Sequence, residues 1–115
     1  MYRLHKSELF KRHVMNFALD YKKKGGAELA NRFLDAVEDA LSFIGSNPLV
    51  CSIYHEAKLH PLLQRYEFRK WALQRFPHNI YFRLSNDIIR LELIYAQAMD
   101  IASRMNDDIV IKNDE

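Results

Sequence analysis

Residues Arg75–Leu84, RFPHNIYFRL, decide how this chain is read. Side chains of an extended strand point to opposite faces in turn. That alternation puts Ile80, Phe82 and Leu84 on one face and Tyr81 and Arg83 on the other. Pro77-His78-Asn79, just before, reads as a short turn. An arginine stands on each side of the aromatic centre. The segment could be a catalytic strand, a nucleic-acid-binding strand, or a strand that mainly builds a core.

Its neighbours carry the same period of two. Tyr66–Phe76 is one strand candidate and Asp87–Tyr95 another. In the latter Ile89, Leu91, Leu93 and Tyr95 face one way, and Arg90 and Glu92 the other. Connections as short as Pro77-His78-Asn79 and Ser85-Asn86-Asp87 join antiparallel neighbours, so the three form a meander. Upstream the period is helical. Ser7 is placed to cap a helix with apolar positions Phe10, Val14, Phe17, Ala18 and Tyr21, ended by Gly25-Gly26. A second helix, about Ala27 to Ile44, buries Leu29, Phe33, Val37, Ala40, Leu41 and Ile44, and Gly45 and Pro48 bracket its exit. A short first strand at Tyr2–Leu4 and an edge strand within Leu49–Tyr54 complete the reading. The predicted fold is α+β: an N-terminal antiparallel helical hairpin lies on one face of a small antiparallel sheet, leaving the other face for solvent or a partner.

The totals set bounds. At 115 residues and 49% apolar composition, the chain can bury one core without staples. One domain over residues 1–105 is expected, followed by a mobile tail, 106–115, with four acids against one lysine. The lone Cys51 excludes an internal disulfide. No apolar run approaches the ~18 residues of a membrane span, and no secretory signal stands at the start. A cytoplasmic location is therefore expected. Net charge is only +2, but residues 58–90 hold seven basic and two acidic side chains and residues 91–115 two and six. The middle block is a local positive field.

Arg69-Lys70, then Arg75-Phe76-Pro77-His78, then Ile80-Tyr81-Phe82, and finally Tyr95–Asp100 (YAQAMD) carry a family likeness. With the helical hairpin before them, they resemble the RelE/ParE toxin superfamily, and more closely its ParE branch, over about Tyr2 to Met105. The resemblance implies a toxin of a type II toxin–antitoxin or plasmid stabilisation system, held inactive by a cognate antitoxin. ParE-like members are associated with poisoning DNA gyrase. RelE-like members cut messenger RNA in the ribosome. A homologue that only binds its antitoxin is a further alternative. The implied assemblies are a homodimer or a toxin–antitoxin heterotetramer. The antitoxin is expected to thread an amphipathic or extended segment across the helical hairpin and sheet edge.

Metal-free RNA cleavage needs a base, an acid and cations around the phosphorane. Where the RelE pattern supplies arginine and tyrosine, this chain has Asn79 and Met99, which cannot take those roles. Binding rather than catalysis is therefore expected, with no cofactor. His78 is the one acid–base candidate on the sheet, and its place in a turn favours a packing role. Arg69, Lys70, Arg75, His78, Arg83 and Arg90 are the candidate partner-binding residues. Arg83 and Arg90 should project from the face away from the helices. The plainer alternative is a solvated face, with one arginine fixed by a carboxylate such as Glu92. Cys51, His55 and His60 lack the paired spacing of a zinc site. Trp71 with Tyr66, Phe76, Tyr81 and Phe82 could stack bases, but such residues more often build cores, and the near-neutral total weighs against strong nucleic-acid binding.

Overall fold

Ser7 starts the helix and ties it to the sheet. It sits in extended backbone, and its Oγ accepts a hydrogen bond from the Phe10 amide at 2.9 Å, satisfying one of the first-turn donors. The same hydroxyl donates to the Glu92 carbonyl at 2.8 Å, and the Ser7 amide donates to the Leu91 carbonyl at 3.0 Å. The computed structural model describes residues 2–55 and 67–97, together with Asp108. Its elements are β1 (Arg3–Lys6), α1 (Glu8–Ser46), a 3₁₀ turn (Pro48–Val50), β2 (Ser52–Ile53), β3 (Arg69–Ala72), β4 (His78–Ser85) and β5 (Ile88–Ala96).

Where two separate helices were expected, α1 is one element of 39 residues broken at Gly26 alone. Gly26 has φ 81° and ψ −178°, a conformation open essentially only to glycine. The consequence is geometric. In a straight helix Phe17 and Phe33 would lie about 24 Å apart along the axis; their rings are 6.2 Å apart, and Tyr21 and Phe33 are 5.1 Å apart. The backbone therefore reverses at Gly26, and the two arms of α1 meet without an intervening loop.

The sheet order is β1-β5-β4-β3-β2. The meander β3–β4–β5 is antiparallel as expected, and β2 adds antiparallel at the β3 edge. The expectation of an all-antiparallel sheet is corrected at the other edge: β1 runs parallel to β5, Arg3 opposite Ile88 and Lys6 opposite Leu91. A parallel neighbour needs a long crossover, and everything between β1 and β5 serves as one. One continuous core forms from Phe10, Phe33, Val37, Leu41 and Ile44 of α1 with Ile80 and Phe82 of β4 and Ile89, Leu91 and Ile94 of β5.

A second correction concerns β5. Tyr81 pairs with Leu93 but Phe82 pairs with Leu91, so Glu92 is an extra residue, a β-bulge. One extra residue reverses the parity of the strand beyond it. Ile94 joins the core with Ile89 and Leu91, while Leu93 and Tyr95, expected beside them, turn to the reverse side. A third is His78, which opens β4 rather than sitting in a turn. The expected strand residue Tyr66, the helical turn after Ala98 and, apart from Asp108, the tail 106–115 lie outside the described residues.

Two outcomes check this architecture. Ser7→Ala removes the cap and the hydroxyl hydrogen bond to the Glu92 carbonyl; denaturant unfolding should show a loss of roughly 1–3 kcal/mol with unchanged m-value. Gly26→Ala meets no atom within 4 Å of the new Cβ. Its cost of roughly 1–3 kcal/mol should come from backbone strain alone, so Gly26→Asn, whose tolerance of positive φ is confined to the left-handed helical region, should cost as much.

Candidate functional site

The face of the sheet away from the core divides in two. Beyond the bulge it is apolar and closed. Tyr81, Leu93 and Tyr95 are each at most 1% exposed, and Tyr54, Tyr81 and Tyr95 form a chain of ring contacts at 5.2 and 5.8 Å. The Tyr95 hydroxyl donates to the Asp108 carboxylate. The expectation of a reverse face wholly open to solvent or a partner is thus corrected for this half. Before the bulge the face is cationic. Arg83, Arg90 and His5 stand side by side across β4, β5 and β1. Like charges directly opposite each other destabilise a sheet. The buried Glu92 carboxylate offsets this, accepting from Arg83 Nε at 3.2 Å. Glu92 is the carboxylate weighed above as fixing one arginine of the group, and the arginine is Arg83. Arg90, half-buried, forms no ion pair among the described residues.

The remaining candidates do not join that row. Arg69 shares its register position with Phe82 and is built into the scaffold. Its guanidinium donates to the Cys51 carbonyl at 2.8 Å and to Glu67 at 3.2 Å, tying β3 to the turn before β2. Lys70 pairs in register with Tyr81 and holds its ammonium 5.7 Å from the Tyr54 ring centroid, within cation–π range. Arg75 is exposed on the β3–β4 connection with φ 71°, an uncommon conformation for a residue with a side chain. Burial raises the Cys51 thiol above its ordinary value, with Arg69 opposing, so it is not an activated nucleophile. Among the described residues no group of His, Cys, Asp and Glu is placed to hold a metal ion; His60 lies outside them.

His78 is 3% exposed and lies among Phe17, Phe33 and Tyr21, with ring centroids 4.4, 5.2 and 5.9 Å away. It joins both arms of α1 to the start of β4. This placement puts it in the interior rather than on the exposed surface where partner binding was expected. Its Nδ1 is buried with no hydrogen-bond partner among the described residues, and desolvation lowers its pKa below the ordinary 6.5. The folded state therefore binds this proton less readily than the unfolded chain. Stability from His78 is fully present above about pH 6.5 and falls as pH drops below it, by at most ~1.4 kcal/mol per unit. Thermal or denaturant unfolding between pH 7.5 and 5 should show this slope, and His78→Phe should flatten it.

One further feature escaped sequence reasoning. A groove of about 590 Å³ runs between the second arm of α1 and the β3 edge, lined among others by Asp35, Asp39, Phe43, Trp71, Arg75 and Phe76. Its floor is the parallel stack of Phe43 on Trp71, 4.2 Å between centroids and 13° between planes. The signal was present in the helix: Asp35 and Asp39 are one turn apart, and the small residues Ala36 and Ala40 beside them also line the groove.

No protein-family model and no curated protein matches the chain. Among solved structures, a chain of the chromosomal ParDE TA system from P. aeruginosa superposes with a TM-score of 0.67 at 16% identity, covering 84% of this chain and 96% of that one. The fold is ParE-like. The likeness spans nearly the whole of the other chain, so the ParE-like fold accounts for the helical element and the sheet together rather than for one shared motif. At this identity it carries fold alone, and what the residues do is argued below. No helix among the described residues is long and apolar enough to cross a membrane.

Proposed function

We propose that this chain is the toxin of a type II toxin–antitoxin pair, ParE-like, acting in the cytoplasm by binding a target protein and neutralised by a cognate antitoxin. The observation that carries the reading is the ParE-like fold, matched over 96% of a chain from a ParDE system. DNA gyrase is the proposed target. Two features support binding over RNA cleavage. The acid–base candidate His78 is enclosed by rings, and Asn79, where an arginine would be needed, is an uncharged amide whose Nδ2 lies 3.5 Å from the Tyr81 hydroxyl. The surface proposed for the target is the cationic half of the reverse face, Arg83, Arg90 and His5. Arg90 is its centre because it stands between the other two in register.

Expression without an antitoxin should arrest growth, and the purified protein should inhibit gyrase supercoiling. Arg90→Gln should weaken inhibition about tenfold or more, ~1.4 kcal/mol, while the fold, read by circular dichroism, is unchanged. New messenger-RNA ends within the decoding site of translating ribosomes, with gyrase unaffected, would instead identify a ribosome-dependent endoribonuclease. Normal growth with soluble, folded protein would identify an antitoxin-binding homologue without toxicity.

A further inference from the structure

The groove beside β3 has an ordered arrangement of chemistry along its length. α1 supplies Arg32, Asp35, Asp39 and Phe43 in sequence along one wall, and β3 and the connection after it supply Trp71, Ala72, Gln74 and Arg75 opposite. The helical wall is therefore aromatic at one end and acidic in the middle, and beyond these Arg32 and Arg75 stand with Leu29 and Phe76. Arg32 is already committed, its Nη2 2.6 Å from Glu28 Oε1. Asp35 and Asp39 are exposed and form no ion pair among the described residues. Two unpaired carboxylates one helical turn apart, next to an accessible aromatic face, complement a guanidinium or ammonium group, through charge-assisted hydrogen bonds and the ring quadrupole together.

We propose that this groove receives an amphipathic segment of a partner protein, seating an apolar side chain on the Phe43–Trp71 stack and a basic side chain, best an arginine, between Asp35 and Asp39. That the partner is the antitoxin rests on the function proposed above; the chemistry of the groove does not. The assignment runs against the overall charge of the chain, which is +2. Unspecific attraction would favour an acidic segment, so a preference for a basic one has to be local.

Trp71 is the only tryptophan in the chain and lies on the groove floor, so its fluorescence reports occupancy directly. The probes are three capped peptides with one apolar frame, Ala-Leu-Xaa-Leu-Xaa-Leu-Ala, where Xaa is arginine, citrulline or glutamate. The expected order of affinity is arginine, citrulline, glutamate, with at least a tenfold span. Asp35→Asn/Asp39→Asn, at exposed positions, should abolish the preference while circular dichroism stays unchanged. Equal binding of all three peptides, tighter binding of the glutamate peptide, an arginine preference that survives the double variant, or no saturable response at millimolar peptide would each overturn the proposal. A separate arm distinguishes it from the functional reading. If the chain is toxic, Asp35→Arg/Asp39→Arg should keep toxicity and escape neutralisation by the antitoxin. Full neutralisation of that variant would overturn the groove assignment and leave the toxin standing. A harmless wild type with an intact arginine preference would do the reverse.

Discussion

The hydroxyl of Ser7 joins the two halves of this molecule at the one place where the sheet changes character. It caps α1 by accepting from Phe10 and donates to the carbonyl of Glu92, the residue that makes the bulge in β5. Glu92 in turn holds Arg83 with its side chain. Helix start, strand parity and the placement of a buried carboxylate are thus set together. A hydrogen bond of this kind contributes only about 1 kcal/mol net, but the cost of leaving its buried partners unmade is larger. Its position gives it influence beyond its strength.

The bulge explains why one sheet face serves two purposes. Without it, Leu93 and Tyr95 would continue the core and Ile94 would face the reverse side. With it, that side is apolar past Glu92, where Tyr54, Tyr81 and Tyr95 meet, and cationic before it, where Arg83, Arg90 and His5 align. The same inversion brings Ile94 against α1. A positive row at one end of a closed aromatic patch is a narrower binding surface than a whole open sheet face. The groove beside β3, between α1 and the strand, is separate from that reverse face.

Much of this fold was legible because it is local. The apolar positions of both helical arms, the cap at Ser7, the meander order and the division between Phe82 and Arg83 all follow from spacing within a few residues. The losses have physical reasons. Gly25-Gly26 reads as a stop, and no spacing rule says that a single glycine can reverse the chain while helical bonding resumes at once. Alternation cannot reveal a bulge, since Leu91-Glu92-Leu93-Ile94-Tyr95 fits either parity until a partner strand is known. The parallel pairing of β1 with β5 joins residues 85 apart, as in Arg3 and Ile88, and leaves no local trace. His78 follows a proline and looked like a turn; only the rings of Phe17, Tyr21 and Phe33, supplied by both arms of α1, show why it is inside. Of the cations, Arg83 and Arg90 were placed on the correct face, whereas the internal role of Arg69 depends on carbonyls of Leu49 and Cys51 that sequence does not bring near.

The order of strands also bears on how the molecule comes into being. β5, the last of the described strands, lies between β1, the first, and β4, and supplies Ile89, Leu91 and Ile94 to the core. Contacts within α1 are near in sequence and can form as soon as that segment is made, since short-range closure is fast. The sheet that covers it cannot close until translation has passed residue 96. A chain cut short before β5 lacks the keystone between its first and fourth ribbons, and so holds neither the cationic row nor a shielded interior. The arrival of β5 is therefore itself the gate to a closed sheet.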